Sequence, residues 1–378
     1  MTRHSILVAL AVAALAACNQ DGRITGPLAA ASTRLALSSV AADGGDAAVY
    51  TLMNLTSGNA VAVFSRAANG TLTAAGTVPT GGTGTGVGLA TQGAVVLSDD
   101  GDWLYAVNAG SNDISIFRVD RGLTLTSRFG SGGTMPISLT VHDRRLYVLN
   151  AGGAGNITGF ALDGHGAAAP LAGSTHSLSG AVATVAPEEV AFNEDGHWLV
   201  VTEKGSNLID VYPVDAEGVA GARTSYPAVG LGPYGFAFGH DDLLFVSEAA
   251  SGSASSYDVD GGSLSTISGE VLDYHAAPCW LVLSPDGRFA YAANAHDGTI
   301  SGFTVGGQGT LALLDPNGTT AAPGVGNLDL AFDHDGKFLY QLRNSGTITA
   351  YRVEHDGHLT LLGVSGSMPG TVSGLAAR

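Results

Sequence analysis

The sequence contains little cysteine and little positive charge. Only Cys18 and Cys279 occur among 378 residues, so a framework of several disulfides is excluded and the fold must depend on a buried core. The 16 Lys and Arg residues are outnumbered by 33 Asp and Glu residues, which leaves a formal net charge of −17. No basic cluster offsets this charge, and we therefore expect no binding of nucleic acid and no attraction to anionic lipid.

The short motifs of the common hydrolases and nucleotide-binding proteins are also missing. The sequence has no G-x-S-x-G, no H-E-x-x-H, no paired CxxC and no G-x-x-x-x-G-K-[ST]. The phrase Asp258-x-Asp260-Gly resembles the start of a calcium loop, but the remaining ligands are absent and a turn is the better interpretation. A catalytic centre, if there is one, must therefore be sought outside these signatures.

The N-terminus has the features of an export signal. Arg3 precedes an apolar run over residues 6–17, which is too short to cross a bilayer as a helix. The run ends in Leu15-Ala16-Ala17-Cys18, which resembles a bacterial lipobox, whose cysteine becomes the lipidated N-terminus. We therefore expect a lipoprotein signal peptide over residues 1–17 and a membrane contact through the lipid alone. An ordinary signal peptide is the alternative.

The segment after Cys18 predicts both a linker and a location. Residues 18–45 are rich in Ala, Ser and Gly without a sustained period, which is typical of a flexible tether. Asn19 follows the cysteine, at a position where aspartate often marks retention in the inner membrane. The expected product is an exported bacterial lipoprotein that is periplasmic or anchored in the outer membrane.

One phrase recurs along the rest of the chain, residues 46–378. It reads SPDGRFAYAANAHDGTISGFTV from Ser284, with looser copies from Ser98, Asn193 and Asp333. Each copy has an apolar run, an Asp-Gly turn, a second run, a polar turn and a third run, and an Asp-Gly pair between alternating runs predicts a hairpin. A weaker fourth run follows, as in residues 123–130 and 359–366. Four antiparallel strands in each repeat predict the blade of a β-propeller.

The residues that close the second runs give the number of blades. There are seven of them, which predicts an all-β, seven-bladed propeller; they are Asn54, Asn108, Asn150, Glu203, Glu248, Asn294 and Arg343. The first repeat starts at its second strand, and the C-terminal phrase SGLAAR (373–378) has no second strand after it. The C-terminal strand is therefore expected to complete the first blade and close the ring.

The repeats resemble those of the seven-bladed lactonase-like propellers, the family of bacterial 6-phosphogluconolactonase and fungal carboxymuconate cyclase. An exported bacterial subgroup is the most similar, through the phrases NAGGAGNITGF (150–160), VTEKGSNLIDVY (201–212), YGFAF (234–238) and APCWLVLSPDGRFAY (277–291). The resemblance covers about residues 47–378. It implies the fold strongly and the activity weakly, because the repeats are scaffold.

The family's catalytic side chains are not found where the resemblance would place them. Cytosolic lactonases carry His and Arg where the chain enters the inner strands, in phrases such as GPHAHS and GPRH. Here these entrances read Ala186-Pro187-Glu188-Glu189 and Gly232-Pro233-Tyr234-Gly235. No catalytic residue can therefore be carried over from the family.

Inner-strand entrances and second-strand ends are expected on one face of the propeller, the entrance face, and the Asp-Gly hairpins on the opposite hairpin face. The entrance face is acidic and polar, with an aromatic wall at Tyr234 and Trp280. The structural interpretation is that these are solvated loop residues, in which the charge of Glu203 is balanced by that of Lys204. The candidate binding residues are Glu188, Glu189, Glu203, Lys204, Tyr234, Glu248, His275, Trp280, Asp329 and Arg343.

Two functions from different classes fit these observations. The first is a scaffold that binds a small molecule or a protein partner through the loops at the channel mouth; no cofactor is required, although several carboxylates could share Ca²⁺. The second is a hydrolase or isomerase of a lactone or related cyclic ester, as the resemblance implies. The missing His and Arg favour the first.

The lipid anchor can be tested directly. Replacing Cys18 by Ser removes the only thiol at the signal-peptide boundary, so the protein should move from the membrane fraction to the soluble exported fraction. Fractionation and immunoblotting measure this shift. A variant that remains in the membrane pellet as strongly as the unmodified protein would show that no lipid is attached at Cys18.

Overall fold

The computed structural model describes residues 47–378, which form seven antiparallel sheets. Six sheets have four strands and the third has an additional short strand, so the predicted seven-bladed propeller is confirmed. Cys18, the signal peptide and the whole tether lie outside the described residues. The one helix found in residues 47–378 is a single turn, and no helix there is long and apolar enough to cross a membrane.

The strands follow the chain blade by blade. Blade 1 contains β1 (Ala48–Leu52), β2 (Ala60–Arg66) and β3 (Leu72–Pro79); blade 2 contains β4 (Val95–Leu97), β5 (Trp103–Asn108), β6 (Asp113–Val119) and β7 (Leu123–Gly130); blade 3 contains β8 (Pro136–His142), β9 (Arg145–Asn150), β10 (Asn156–Leu162), β11 (Ala168–Pro170) and β12 (His176–Ser177). Helix α1 (Val182–Val185) leads to blade 4, with β13 (Pro187–Phe192), β14 (Trp198–Glu203), β15 (Leu208–Pro213) and β16 (Thr224–Pro227).

The remaining blades repeat this order. Blade 5 contains β17 (Pro233–Phe238), β18 (Leu243–Glu248), β19 (Ser253–Asp260) and β20 (Ser263–Leu272); blade 6 contains β21 (Pro278–Leu283), β22 (Phe289–Asn294), β23 (Thr299–Val305) and β24 (Leu311–Leu313); blade 7 contains β25 (Asn327–Phe332), β26 (Phe338–Arg343), β27 (Thr347–Val353) and β28 (Leu359–Ser365). The final strand, β29 (Ser373–Ala377), returns to blade 1.

The ring is closed by this C-terminal strand. Strand β29 pairs antiparallel with β1, with Thr51 opposite Leu375 and Val49 opposite Ala377. The Arg66 guanidinium extends the contact by donating to the Arg378 carbonyl at 3.2 and 3.3 Å. The predicted closure is confirmed, and β29 covers the edge of β1 that would otherwise be unpaired.

The Asp-Gly hairpins are fixed by their first residue. Its side chain accepts a hydrogen bond from the backbone N–H five residues later, at 2.8–3.0 Å, in four blades: Ser98 to Trp103, Asn193 to Trp198, Ser284 to Phe289 and Asp333 to Phe338. The hairpin glycines have φ of 67–69°, a left-handed conformation that favours glycine; they are Gly101, Gly196, Gly287 and Gly336. The repeated phrase therefore encodes hairpins rather than a site.

The residues that close the second strands are also structural. The Asn108 side chain donates to Asp113 at 2.7 Å and to Ser115 at 2.8 Å, on the adjacent third strand. Asn294 repeats this with Thr299 at 2.9 Å and Ser301 at 2.8 Å. These asparagines therefore stabilise the turn between second and third strands, since their side chains satisfy neighbouring polar groups.

Neighbouring blades are joined by tyrosines of the second strands. Each hydroxyl donates to a glycine carbonyl in an outer turn of the next blade: Tyr147 to Gly218 at 2.9 Å, Tyr291 to Gly357 at 2.6 Å and Tyr340 to Gly70 at 3.1 Å. The rings themselves are buried in the interface between blades. Each tyrosine thus buries apolar area and satisfies its polar end in one step.

Deletion of residues 373–378 should remove the inner strand of blade 1 and expose the edge of β1. We expect aggregation, or a melting temperature lower by more than about 10 °C, because a loss of several kcal/mol shifts the transition this far. Differential scanning calorimetry with size-exclusion chromatography measures both. Arg378→Ala is the control, since it keeps the β29 ladder and the backbone bonds of residue 378 to Ala48 and Arg66. A monomeric deletion variant that melts like the intact chain would contradict the closure.

Candidate functional site

The inner strands lose regular pairing where they approach the channel axis. In six of the seven blades the ladder of the inner strand shifts register within its first four residues, for example between Pro187 and Glu189 and between Asn327 and Leu330. The preceding blade then supplies a side-chain acceptor for a backbone N–H: Ser138 accepts from Val190 at 3.2 Å, Glu189 from Phe236 at 2.7 Å and Asp329 from Leu375 at 3.1 Å. Two of the candidate carboxyls, Glu189 and Asp329, therefore belong to a ring of contacts that joins the blades.

Gln92 completes this ring of contacts at blade 5, where no side chain is present to accept the hydrogen bond. Blade 5 has Gly235 at the equivalent position, and the Gln92 side chain reaches across the channel instead. Its amide donates to the carbonyls of Phe236 at 3.1 Å and Leu281 at 2.9 Å, and its oxygen accepts from the Leu281 N–H at 3.0 Å. A Cβ atom at Gly235 would collide with the Gln92 oxygen, so the glycine makes room for the glutamine.

Burial controls the ionisation of the two ring carboxyls. It raises the pKa of Asp329 to about 8, against hydrogen bonds from Leu330 and Leu375 that lower it. Burial also raises the pKa of Glu189 well above its usual range, and the nearby Asp329 adds to the rise. Both groups are therefore held as neutral acids at pH 7, and they do not contribute the negative charge that we expected of the entrance face.

A second group of candidates lies around the Lys204 ammonium. The Lys204 ammonium lies 2.5 Å from Glu188 Oε1 and 4.9 Å from the centroid of the Tyr234 ring. Tyr234 packs edge-to-face on Trp280 at 5.5 Å, and the Trp280 indole N–H donates to the Thr91 carbonyl at 3.1 Å. Lys204 therefore pairs with Glu188 rather than balancing Glu203, which corrects the sequence-based interpretation.

Glu188 is the carboxyl of this group, and its pKa lies near neutrality. Burial raises its pKa to about 7, while the charge of Lys204 and hydrogen bonds from Lys204 and Tyr234 limit the rise. The side chain is 4 % exposed and that of Lys204 is 2 % exposed, so their attraction acts at low dielectric. A carboxyl that changes charge near pH 7 beside a fixed cation can exchange a proton with a bound molecule.

Two other candidate carboxyls are directed into their own blades. Glu248 accepts from the Gly230 N–H at 2.9 Å and from Ser253 at 2.9 Å and Ser255 at 2.6 Å. Glu203 accepts from the Ser179 N–H at 2.9 Å and from Ser206 at 2.7 Å. These bonds match the contacts that asparagines make in the sister blades, and the structure therefore gives both glutamates a structural role at the ends of β14 and β18.

His275 and Arg343 lie apart from the cluster around Glu188. His275 belongs to a loop contact on blade 6, with its Nε2 2.8 Å from the Thr319 hydroxyl. Arg343 donates from Nη2 to the Val325 carbonyl at 3.0 Å. Among residues 47–378, no group of three or more His, Cys, Asp or Glu side chains is arranged to hold a metal ion.

The hairpin face carries a cavity of about 420 Å³ that the sequence did not predict. Its lining includes Thr140, His142, Asn193, Glu194, His240 and Ser284. Most of its polar groups are engaged locally: Asn193 donates to Asp242 at 2.6 Å, and His240 lies 3.1 Å from Glu194. This lining consists of hairpin caps and surface ion pairs, whereas the paired Glu188 and Lys204 are buried and chemically distinctive.

Gln92 and Thr319 are site-forming residues that sequence reasoning missed. The signal for Gln92 was present, since aligning SDDG from Ser98 with SPDG from Ser284 places Gln92 at the strand entrance occupied by Pro278. A polar residue at that entrance, opposite the small Gly235, is the sign of a side chain that crosses the channel. Nothing in the sequence indicates that Thr319 meets His275, because they lie in different loops.

Comparison with known proteins agrees with this architecture. The model of a family described as lactonase, 7-bladed β-propeller, matches residues 45–182 and 262–374. No curated protein matches the chain.

Several solved structures share the fold. The periplasmic gluconolactonase PpgL of Pseudomonas aeruginosa is 20 % identical, with a TM-score of 0.68 over 87 % of this chain and 99 % of that one. A candidate 6-phosphogluconolactonase from Bacteroides fragilis is 20 % identical, with a TM-score of 0.69 over 88 % and 98 %. A protein from Lactobacillus plantarum is also 20 % identical, with a TM-score of 0.70 over 88 % and 99 %. At these identities the likeness establishes the fold alone.

The raised pKa values predict that stability falls as pH rises. Between an unfolded-state pKa of about 4 and the folded-state pKa of about 8 for Asp329, the folded chain binds more protons than the unfolded chain. The free energy of unfolding therefore decreases over this window. Denaturant titrations should give a lower midpoint at pH 8.5 than at pH 5.5, and Glu189→Gln should reduce the difference because Gln does not titrate.

The matched control is Glu217→Gln, which removes an exposed carboxyl. This variant should keep the pH dependence of the unmodified protein. A midpoint that stays constant or rises from pH 5.5 to 8.5 would contradict the assignment of Glu189 and Asp329 as neutral buried acids.

Proposed function

Because the chain belongs to the lactonase family of seven-bladed β-propellers, we propose that it hydrolyses a lactone at the entrance face of its channel. The observation that carries the proposal is the buried Glu188–Lys204 pair, 2.5 Å apart, in which the pKa of Glu188 is raised to about 7. A general base works best when its pKa lies near the working pH. Glu188 meets this condition, and it is also the carboxyl that lies beside the buried Lys204 ammonium.

The pair supplies a proton acceptor, the Glu188 carboxylate, and a positive charge, the Lys204 ammonium, and hydrolysis of a cyclic ester can use both. Glu188 accepts a proton from water as the water oxygen bonds to the lactone carbonyl carbon. Negative charge thereby leaves Glu188 and appears on the carbonyl oxygen, where the Lys204 ammonium can stabilise it. The ring C–O bond then breaks, and the proton held by Glu188 passes to the released alkoxide, which leaves a hydroxy acid and an unchanged enzyme.

Charge favours a neutral lactone over a phosphorylated one. Lys204 is already committed to Glu188, and the Arg343 guanidinium donates to a backbone carbonyl. A chain of net charge −17 with no further cation in this cluster would repel a phosphate group. The edge-to-face pair of Tyr234 and Trp280 offers an apolar surface for the C–H face of a sugar ring. We therefore propose an aldonolactone such as glucono-1,5-lactone as the substrate class.

The location of this activity is part of the proposal. The apolar run over residues 6–17 and the lipobox-like phrase that ends at Cys18 support a lipid-anchored protein outside the cytoplasm. The Pseudomonas aeruginosa neighbour is named as periplasmic, which agrees with this interpretation. An exported lactonase would act on lactones formed by oxidation of free sugars, which carry no phosphate.

A binding scaffold is the second candidate function. It is favoured by the entrances at residues 186–189 and 232–235, which lack the His and Arg of the cytosolic lactonases. In that function the same cluster would hold a polar or cationic molecule without converting it. The two functions differ in turnover, which the following experiment measures.

Hydrolysis of glucono-1,5-lactone should be followed by pH-stat titration, with the spontaneous rate subtracted. We expect Glu188→Gln to lower kcat/KM by about a hundredfold or more, since a positioned general base contributes that much. Lys204→Met should reduce kcat by a similar factor. Glu189→Gln is the matched control, because it removes the adjacent buried carboxyl and leaves the Glu188–Lys204 pair in place.

6-Phosphogluconolactone should be hydrolysed more slowly than the neutral lactone. No turnover of either lactone by the folded protein, together with a rise in melting temperature on adding a lactone, would replace the hydrolase by the binding scaffold. Full activity in Glu188→Gln would remove Glu188 from the mechanism.

A further inference from the structure

We propose that Thr319, His275 and Asp297 form a second hydrolytic centre on blade 6, which acts on carboxylic esters that carry an apolar group. The His275 Nε2 lies 2.8 Å from the Thr319 hydroxyl, and its Nδ1 lies 3.3 Å from Asp297 Oδ2. A hydroxyl, an imidazole and a carboxylate in this order are the arrangement that activates a nucleophile for acyl transfer. The centre is independent of the Glu188–Lys204 pair of blade 4.

The histidine is held on both sides. Its backbone N–H donates to the fully buried Asp273 at 2.9 Å, and Asp273 in turn accepts from Ser301 at 3.2 Å. The Asp297 carboxylate also accepts from the Ala276 N–H at 2.8 Å. These bonds fix the imidazole between the hydroxyl and the carboxylate, as general-base catalysis requires.

The carboxylate is kept in its charged form. Burial would raise the pKa of Asp297, but hydrogen bonds from His296, the Ala276 N–H and His275 together lower it. The threonine loop is fixed as well, because a side chain at Gly318, whose φ is +76°, would collide with the backbone of Asp273. The three groups thus come from three separate loops that pack against one another.

The blade fold does not require this histidine. His275 lies three residues before the start of its inner strand at Pro278, and the same position in blades 3, 4, 5 and 7 holds Gly133, Thr184, Gly230 and Gly324. Blades 4, 5 and 7 form the same four-stranded sheet, and blade 3 adds one short strand to it, without an imidazole in this place. Comparison of the blades therefore indicates that forming the sheet of blade 6 does not explain the presence of His275.

The surroundings indicate the class of ester. The side chain of Tyr274, next to His275, is 68 % exposed, and that of Val325 is also 68 % exposed. The Gly324–Val325 backbone packs against Gly298, which follows Asp297, so both exposed side chains flank the centre. The His275 side chain is 16 % exposed, and Thr319 is partly exposed. An aryl or alkyl group of an ester could rest on this apolar flank while its carbonyl carbon meets the threonine oxygen.

The reaction has two balanced steps. Thr319 Oγ1 bonds to the ester carbonyl carbon and gives its proton to His275 Nε2, and the C–O bond to the alcohol breaks as that proton passes to the alkoxide. Water then attacks the acyl-threonine with His275 again accepting the proton, which returns to Thr319 as the acid departs. The sum is ester plus water to acid plus alcohol, with no other reactant.

The test uses the intact protein with p-nitrophenyl butyrate and with a fluorophosphonate probe. We expect time-dependent labelling of Thr319, located by peptide mass spectrometry, and release of p-nitrophenolate above the spontaneous rate. Thr319→Val and His275→Gln should each lower the ester turnover at least about a hundredfold. The matched control is His240→Gln, because His240 also pairs with a carboxylate, Glu194 at 3.1 Å, but lies on the hairpin face and is 68 % exposed.

Labelling that persists in Thr319→Val, or that occurs equally in His275→Gln, would overturn the proposal. So would the absence of both labelling and ester turnover in the unmodified protein, which would leave His275 as a loop contact only. The Glu188→Gln variant separates this centre from the proposed lactonase: it should retain labelling at Thr319 and lose lactone hydrolysis. Melting temperatures of all variants exclude loss by unfolding.

Discussion

The structure depends on how seven inner strands are joined around one axis. Six of the seven strands that converge there shift register within their first four residues, and a buried backbone N–H without an acceptor is costly. Side chains of the preceding blade supply the acceptors, and they include the carboxyls of Glu189 and Asp329. The acidic channel lining is therefore part of the scaffold, and its groups are held as neutral acids by the burial that the fold imposes.

The same packing distinguishes the carboxyls that stabilise the fold from the carboxyl that we propose to act in catalysis. Glu203 and Glu248 replace the asparagines that close second strands elsewhere, and hydroxyl and backbone groups occupy their oxygens. Glu188 differs because it faces a lysine, whose charge limits the rise that burial causes and leaves the pKa of Glu188 at about 7. The proposed lactonase thus uses the one channel carboxyl that has a buried cationic partner in the part of the chain described by the structure.

The fold could be predicted from the sequence because each blade repeats a local signal. The Asp-Gly turns, the closing asparagines and the terminal SGLAAR phrase each specify a contact within a few residues or at a defined partner strand. The site was less predictable, because its side chains come from different strands and loops. The pairing of Lys204 with Glu188 and the meeting of Thr319 with His275 follow from packing that no local pattern encodes, whereas the reach of Gln92 past Gly235 left a signal in the repeat.

The central claim is that Glu188 ionises near neutrality while the neighbouring ring carboxyls remain protonated. Infrared difference spectroscopy across pH 5.5 to 8.5 reports the loss of protonated carboxyl groups, and comparison with Glu188→Gln assigns the band. The account predicts a carboxyl that titrates with a pKa of about 7 and disappears in Glu188→Gln, with a further protonated band that persists to about pH 8. A spectrum in which Glu188→Gln removes no band titrating near pH 7 would contradict it.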